Sequence, residues 1–365
     1  MSPASAYAPG RVELLGNHTD YNQGVVLAAA IDRGLTVAGI SRGDRFVVFT
    51  SKTAGVGVQV WLNDLQPQLE ERWANYPLGV VQQFIDAGYE ITGFAAEVSG
   101  DVPAGAGLSS SAAFEVATAG LLMKLHEIRM EPLALAKLCQ RAENEFVGVR
   151  SGLLDQVTSV FGKKDHVVYL DCQSEEIRTI PFPTGFALLV AESGVKHNLL
   201  RSLYNTRRDE CAAAAEALDV ESLREVTPEQ LQAARASMDP TLHRRAAHIV
   251  GENQRVWRAL EALQTGDVAE IGGLMNASHE SSRVNFENST AELDELVTIA
   301  RSLPGVLGAR LTGGGFGGGT VTLVKATEAN DALQALRARY GEVSGHRPPG
   351  FICRIADGAA ATWQK

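Results

Sequence analysis

The chain has 365 residues, of which 45% are hydrophobic and 21% charged, so it has the composition of a folded globular protein and the length of two packed domains or one large α/β unit. Its formal net charge of −10 argues against broad nucleic-acid binding, which needs a basic face. Glycine is over-represented, with 36 residues and no Gly-X-Y period; this excludes a collagen-like chain and indicates tight turns or backbone that approaches a ligand closely.

The cysteines and the first residues favour a soluble cytoplasmic protein. The 4 cysteines are scattered without a Cys-x-x-Cys pair, so neither a disulfide framework nor a zinc site is expected. The N-terminal residues lack the basic and apolar regions of a secretory signal. The apolar run at 25–31 is far shorter than the ~20 residues of a membrane span.

The first half of the chain is predicted to mix strands and helices. The first 60 residues are predicted to consist mainly of strands. Across this half, short apolar runs bounded by glycine or charged residues predict strands at 25–31, 46–49, 94–99, 166–171 and 187–192. Its helices are runs rich in alanine and leucine, the last with proline in its first turn, at 73–87, 109–126 and 132–146.

The second half is predicted to be richer in long helices. Alanine, leucine, arginine and glutamate at helical spacing predict helices at 200–217, 240–264, 266–282 and 327–340. Ser289-x-x-Glu292 resembles a capping box that opens a further helix, whose apolar stripe is Leu293, Leu296, Val297 and Ala300. Strands are predicted at 308–312, 320–324 and 351–355.

This order of elements predicts the fold class. Strands and helices are mixed without a regular alternation, which favours an α+β protein of two domains over a doubly wound sheet. The Pro-Phe-Pro-Thr-Gly segment at 181–185 is the best boundary, so we predict domains at 1–183 and 184–365.

A glycine-serine loop between a predicted strand and helix is the first candidate site. Gly105 and Gly107 allow the backbone N–H groups to turn inward, and three serines, 109–111, begin the helix. Such N–H groups and the positive end of the helix dipole can hold an anion. A turn capped by serine is the alternative, and the loop alone leaves both open. The Walker A pattern is absent.

A second glycine loop, at 313–319, has six glycines in seven residues. It contains a Gly-x-Gly-x-x-Gly pattern, but a strand follows it where a dinucleotide fingerprint needs a helix. A flexible hairpin tip is possible, although a tip needs fewer residues and glycine costs chain entropy. We therefore favour backbone packed against other backbone or a phosphate.

Two polar segments could carry chemistry. The polar segment near the N-terminus, before the strand predicted at 25–31, supplies both hydrogen-bond donors and acceptors, which a sugar or other polyol needs, from Arg11, Asn17, His18, Asp20, Tyr21 and Asn22. A merely solvated loop is the alternative. Asp155 begins a predicted helix, where it could act as a base toward a hydroxyl or only favour the helix dipole.

Four segments together resemble the galactokinases, within the superfamily of sugar, homoserine, mevalonate and phosphomevalonate (GHMP) kinases. They are PGRVELLGNHTDYNQGVVL, VPAGAGLSSSAA, RAENEFVGVRSGLLDQ and GARLTGGGFGGGTVTLV. Weaker similarity extends the resemblance over essentially the whole chain, in YNTRRDEC, RRAAHIVGENQRV, SHESSRVNFENSTAELD and ADGA.

The resemblance implies a two-domain GHMP-kinase-like fold with the active site between the domains, and ATP-dependent phosphorylation of the C1 hydroxyl of galactose. Asp155 would be the acid beside that hydroxyl, and Arg11 would stabilise its ionised form and the phosphoryl group. The implied sugar contacts are Arg11, His18, Asp20, Gly152, Asp155 and Tyr204. The implied ATP contacts are Gly105, Ala106, Gly107, Leu108, Ser109, Ser110, Ser111 and Trp73, with Ser111 and Glu143 holding Mg²⁺.

One departure from the family pattern bears on the substrate. Asn17 stands where galactokinases usually have a glutamate that contacts the C6 hydroxyl, so a C6-oxidised sugar such as galacturonate becomes an alternative. Ser151 stands in place of a usual cysteine, a mild change. A non-catalytic sugar and ATP sensor is the second alternative, disfavoured because the phosphate loop, Arg11 and Asp155 are all present. The resemblance permits a monomer.

Overall fold

In a computed structural model of the chain, which describes residues 3–195 and 200–359, the strands form two sheets. The seven strands of the larger sheet are β1 (Ala4–Leu15), β2 (Val25–Ser41), β3 (Phe46–Ser51), β4 (Val56–Trp61), β5 (Phe94–Gly100), β6 (His166–Asp171) and β7 (Ile177–Pro181). The four strands of the smaller sheet are β8 (Phe186–Glu192), β9 (Val306–Thr312), β10 (Gly319–Lys325) and β11 (Gly350–Cys353).

The α-helices alternate irregularly with these strands. Those of the first half are α1 (Asn75–Asp86), α2 (Ser110–Leu125), α3 (Pro132–Arg141) and α4 (Leu154–Phe161). Those of the second half are α5 (Leu200–Ala217), α6 (Pro228–Ala234), α7 (Pro240–Thr265), α8 (Val268–Ser281), α9 (Ala291–Arg301) and α10 (Ala329–Ser344). Two π-helical turns, Ala142–Val147 and Ser282–Phe286, continue α3 and α8.

The long strand β2 organises the larger sheet. It pairs with β1 along most of its length, with β6 through its first residues and with β5 through its last residues, all antiparallel. The rest of the order runs β4-β3-β5 on one side and β6-β7 on the other, and β3 is parallel to β5. The smaller sheet is antiparallel, in the order β11-β8-β10-β9.

Two large hydrophobic clusters hold the sheets and helices together. One lies between the larger sheet and α1 to α4 and includes Phe49, Phe84 and Phe94, all fully buried. The other joins β1 and β2 to α7, α8 and the smaller sheet; Leu14 and Met275 are among its members. Because burial of apolar area is the main favourable term in folding, this shared cluster fixes the two sheets relative to each other.

The predicted order and type of elements are confirmed, and the protein is α+β. The larger sheet ends at Pro181 and the smaller sheet begins at Phe186. The domain division at residue 183 stays a prediction. The outer ends of the two predicted domains, residues 1–2 and 360–365, lie outside the described residues. The last segment also returns to the larger sheet, since the Ala356 amide donates to the Ala30 carbonyl at 2.9 Å.

The predicted capping box at Ser289 is wrong by one residue. Helix α9 begins at Ala291, and the Thr290 side chain accepts from the Leu293 amide. The Ser289 hydroxyl instead donates to Asp294 at 2.6 Å. The apolar stripe predicted for this helix is confirmed, because Leu293, Leu296, Val297 and Ala300 are all buried.

Two predicted boundaries also shift. Gly266 is the left-handed residue after α7, and Asp267 then caps α8, so the helix predicted from 266 begins at Val268. The predicted strand 351–355 is Gly350–Cys353, with Ile355 in an isolated bridge to Ile31. Among the described residues, no helix is both long and apolar enough to cross a membrane.

Candidate active site

Arg11 and Asp155 form an ion pair at the centre of the site. Arg11 lies on β1 and Asp155 in the first turn of α4. The Arg11 Nε donates to Asp155 Oδ1 at 2.8 Å, and its Nη2 is 2.7 Å from the same oxygen. The Arg11 Nη1 also donates to the Gly107 carbonyl at 2.6 Å. The guanidinium group therefore links the acid to the glycine-serine loop.

The start of α2 distinguishes the two interpretations of the glycine-serine loop. The Ser109 side chain does not cap the helix; its hydroxyl donates to Asp155 Oδ2. Ser109 itself adopts a φ of 54°, and Gly105 and Gly107 also have positive φ. The serine-capped turn is thus wrong, because the Ser109 side chain does not take up the first amides of α2.

The two glycine loops pack against each other, backbone on backbone. A Cβ at Gly313 would lie 2.8 Å from the Gly107 carbonyl oxygen, and one at Gly318 3.2 Å from the Gly107 nitrogen. A Cβ at Gly107 would overlap the Thr312 carbonyl. The close-packing interpretation of the second loop is confirmed, because side chains at these positions would push the loops apart.

Asp20 and Gly152 are brought together as a second polar corner. A Cβ at residue 152 would overlap the Asp20 carboxylate, so only glycine allows this approach. Asp20 Oδ1 accepts from the Tyr21 amide at 3.0 Å. Burial raises the pKa of Asp20 to about 7, and the negative charges of Asp155 and Glu13 act in the same direction.

The imidazole of His18 is held on both sides. Its Nε2 lies 2.9 Å from the Gly314 carbonyl, which can only accept, so Nε2 carries the proton and Nδ1 accepts from the Tyr21 hydroxyl at 2.8 Å. Burial lowers the pKa of His18 to about 4, which leaves it neutral near pH 7. Tyr204 packs beside it at a ring distance of 4.9 Å. A sugar hydroxyl would reach either nitrogen only by displacing one of these partners.

Asn17, the departure from the family pattern, is buried in a network that the sequence reasoning missed. Its amide nitrogen donates to Glu13 Oε1 at 3.0 Å and to the Gly313 carbonyl at 2.9 Å. Its oxygen accepts from the amide of Asn288 at 2.9 Å. Glu13 belongs to the quoted N-terminal segment, but nothing in the spacing marks it as a contact of Asn17.

A helix of the second half holds the same turn from behind. Glu252 on α7 accepts from the amides of Gly16 and Asn17, each at 2.9 Å. Arg255 pairs with Glu252 and, with other positive groups, holds the pKa of this carboxyl well below its usual range. The His248 ring lies 3.1 Å from the Asn17 carbonyl. This support explains the polar residues of RRAAHIVGENQRV, which composition alone did not assign.

A group of carboxylates lies behind the start of α2. The Gln156 amide nitrogen donates to Glu115 Oε2 at 2.9 Å and to Glu143 Oε2 at 3.1 Å, and the Ser111 and Ser151 hydroxyls also bond to Glu143. Burial raises the pKa of Glu143 to about 7, with a further contribution from Asp155. Burial and the Glu143 charge raise that of Glu115 strongly.

Most of the predicted residues line one cavity of about 1040 Å³. Gly152 and Ala106 are the exceptions among them, since Gly152 lies behind Asp20 and Ala106 is buried at 1% exposure under the loop. Trp73 also lines the cavity and is stacked on Phe114 at a ring distance of 6.1 Å. The cavity therefore joins the aromatic end formed by Trp73 and Phe114, the glycine-serine loop and the polar corner.

Three family profiles match the chain. They are the GHMP kinases N terminal domain over residues 75–163, the galactokinase galactose-binding signature over residues 2–40 and the GHMP kinases C terminal region over residues 259–342. Their order places the signature on β1 and β2 and the N-terminal profile across the glycine-serine loop.

Individual proteins match over nearly the whole length. The galactokinase of Roseiflexus sp. (strain RS-1) is 41% identical over 356 residues, 96% of this chain and 91% of that protein. The Homo sapiens galactokinase is 42% identical over 360 residues, 96% of this chain and 90% of that protein. The crystal structure of Lactococcus lactis galactokinase complexed with galactose has a TM-score of 0.93 and 34% identity, covering 98% of this chain and 94% of that one.

Proposed function

This chain belongs to the galactokinase family and phosphorylates galactose, and we propose that ATP is the donor and that Asp155, Arg11 and the glycine-serine loop carry out the transfer to the C1 hydroxyl. The observation that carries the proposal is the ion pair of Arg11 and Asp155, which lines the cavity beside the uncapped start of α2.

Asp155 is proposed to accept the proton of the C1 hydroxyl. Its Oδ1 is held by Arg11 and its Oδ2 by Ser109, and a carboxylate has about four lone-pair positions, so acceptor capacity remains. Arg11 fixes the orientation of this acid and adds a positive charge near the phosphoryl group. Phosphoryl transfer depends mainly on such positioning and charge stabilisation.

The ATP phosphates are proposed to lie over residues 103–111. The glycines at 105 and 107 supply backbone that bends toward the cavity, and the first amides of α2 supply donors. Gly105, Gly107, Leu108, Ser109, Ser110 and Ser111 line that part of the cavity. The adenine is proposed to lie toward Trp73 at the aromatic end.

Mg²⁺ fits the residues at the start of α2. Ser111 and Glu143 present oxygen donors, and the raised pKa of Glu143 reflects crowded buried carboxyls that a dication would offset. Mg²⁺ is usually bound by one or two carboxylates and the substrate phosphates, and Ser111 and Glu143 would supply one hydroxyl and one carboxylate. Ser111 and Glu143 would hold the ion, which would neutralise phosphate charge.

The polar corner is proposed to bind the sugar. Asp20 and Tyr204 line the cavity and would contact sugar hydroxyls, while Gly152 allows Asp20 its position. His18, whose ring nitrogens are both bonded, would contact the sugar by its ring or after one partner moves.

The first test replaces Asp155 by asparagine. We expect kcat to fall by about 10²- to 10⁴-fold, the usual contribution of acid–base catalysis, because the amide cannot accept the proton. Galactose affinity should stay within a few fold of the parent value. ADP release measures the first quantity and calorimetry the second; near-normal turnover would remove Asp155 from its role.

A sugar panel separates the remaining alternatives. ADP release with galactose, galacturonate and arabinose should be greatest with galactose. Binding of galactose without ADP release would instead indicate a sensor, and preference for galacturonate would support the alternative raised by Asn17. We also propose that the protein is cytoplasmic and monomeric. Light scattering tests the monomeric state.

A further inference from the structure

One buried carboxylate of the cavity, that of Glu13, has no role in the proposed phosphoryl transfer. Glu13 lies on β1, is 3% exposed and lines the same cavity as His18 and Asp20. Burying an ionisable group is costly unless it is paired and hydrogen-bonded. Its surroundings therefore indicate which of its oxygens are committed to holding the fold and which remain for a ligand.

The two oxygens of Glu13 differ in their partners. Oε1 accepts from Asn17 at 3.0 Å and from Arg310 Nη1 at 3.3 Å. Within residues 3–195 and 200–359, the only partner of Oε2 is the longer branch of the same Asn17 bond, at 3.2 Å. Since each carboxylate oxygen can accept about two hydrogen bonds, Oε2 has an acceptor position to spare.

Asn17, by contrast, has no hydrogen-bonding capacity left. One amide hydrogen serves Glu13 and the other the Gly313 carbonyl. Its oxygen accepts from Asn288 at 2.9 Å and from Ser282 at 3.4 Å. With an exposure of 1%, it would have to give up an internal bond to bind a sugar.

The charge balance points the same way. Arg310 is fully buried and forms an ion pair with Glu13. A guanidinium group stays charged in proteins, so this ion pair anchors Glu13. The corner therefore already holds an anchored carboxyl group, and a second carboxylate brought by a uronic acid would enter beside it.

We propose that Glu13 is a sugar-specificity residue whose Oε2 accepts a hydroxyl of neutral galactose and disfavours a carboxylated sugar, with Asn17 and Arg310 as positioning residues. The proposal rests on the galactokinase activity above. It assigns the role of carboxylate acceptor to position 13 rather than to position 17 of this chain.

The unmodified protein gives the first test. Binding of galactose, galacturonate and the 2-, 3-, 4- and 6-deoxygalactoses is measured by calorimetry. We expect the deoxy sugar that lacks the hydroxyl bound by Glu13 to lose about 10- to 100-fold in affinity, the effect of one hydrogen bond to a charged group. Galacturonate should bind more weakly than galactose by a similar factor. Equal affinity for galacturonate would overturn the proposal.

The variants Glu13→Gln and Asn17→Asp assign the effect to a residue. Glu13→Gln should raise the galactose KM by about 10-fold with kcat within a few fold, and should reduce discrimination against one deoxy sugar only. Asn17→Asp removes the amide that donates to Glu13 and adds a charge beside it, so it should weaken galactose binding and weaken galacturonate binding further. Glu261→Gln, at an exposed position of α7, is the matched control.

The outcomes separate this proposal from the proposed function. If the parent protein binds galactose but releases no ADP, the kinase activity fails while the binding series still tests Glu13. If Glu13→Gln melts as the parent does and loses affinity equally for every sugar, Glu13 is not a specificity residue. Should Glu13→Gln fail to fold, Glu13→Asp keeps the charge toward Arg310, and its unchanged deoxy-sugar pattern would overturn the proposal.

Discussion

At the scale of single residues, the site depends on places where a side chain is missing. Gly152 is the clearest, because its backbone lies against the Asp20 carboxylate and its φ is not in the left-handed region. Glycine is therefore needed there for space rather than for conformational freedom. Replacing it changes the position of a neighbouring acid without changing any polar group.

Gly152→Ala should weaken galactose binding by about 10-fold or more, since the new methyl group forces the Asp20 carboxylate out of its place and removes the hydrogen bond that we propose Asp20 makes to the sugar. Overpacking should also lower the unfolding free energy by about 1–3 kcal/mol. Gly43→Ala, with no atom within 4 Å of its Cβ, is the control. Galactose affinity by calorimetry and melting temperature report the two effects; identical behaviour of the two variants would contradict the prediction.

The sequence allowed some of these residues to be predicted and not others. Arg11, Asp20 and Asp155 could be predicted because they lie in the quoted segments, in a loop or at a helix start where the residue types themselves indicate a binding site. Two partners of Asn17, Asn288 and Gly313, could not be predicted, since they lie more than 270 residues away. Contacts of that kind arise from packing of the whole fold, which local patterns do not encode.

At the scale of elements, the close approach of α8 to β9 is made by a pair of small residues. A Cβ at Gly272 would overlap the Leu307 carbonyl, and one at Gly308 would overlap the Gly272 carbonyl. The next residue, Gly273, is exposed and has no neighbour within 4 Å of its Cβ. Two consecutive glycines in one helix thus have opposite surroundings.

The variants Gly272→Ala and Gly273→Ala should therefore have opposite effects on stability. Gly272→Ala should destabilise the protein by about 1–3 kcal/mol, because the strand backbone cannot move aside cheaply. Gly273→Ala should stabilise it by about 0.5–1 kcal/mol, since alanine favours the helix. Urea unfolding measures both, and each variant is the other's control. Stabilisation by both would show that α8 is not held against β9.

Elements were easier to predict from the sequence than their ends. The apolar stripe of α9 marks its buried face, but its first residue depends on which hydroxyl reaches the Leu293 amide. Ser289 and Thr290 are chemically similar, and the choice is made by Asp294, which takes the serine hydroxyl. Such competition among neighbouring polar groups is beyond a spacing rule.

At the scale of the molecule, buried titratable groups link stability to pH in opposite directions. Burial lowers the pKa of His248 to about 3 and that of His18 to about 4, so both take up protons on unfolding below about pH 6.5. Stability from these histidines is present above pH 6.5 and lost as the pH falls. The raised pKa values of Asp20 and Glu143, about 7, act oppositely, since their contribution is lost as the pH rises toward 7.

His248→Gln should separate the two contributions. The variant is expected to be less stable than the parent at pH 7, because the stacking of His248 on Phe286 is lost. Between pH 7 and pH 5, however, its unfolding free energy should fall by about 2 kcal/mol less than the parent's, or rise. Urea titrations at the two pH values test this. An unchanged pH dependence would mean that His248 does not titrate as described.

The contact of the two glycine loops also has a consequence for the order in which the protein is made. Gly107 emerges from the ribosome long before Thr312 and Gly313, against which it must pack. The amides of Gly16 and Asn17 likewise have no carboxylate to donate to until Glu252 has been synthesised. A nascent or truncated chain that stops before residue 313 would carry the glycine-serine loop, Arg11 and Asp155 but lack the backbone behind them. Enzymatic activity in a cell extract would therefore report the number of chains translated past that point, rather than the number of chains whose translation had begun.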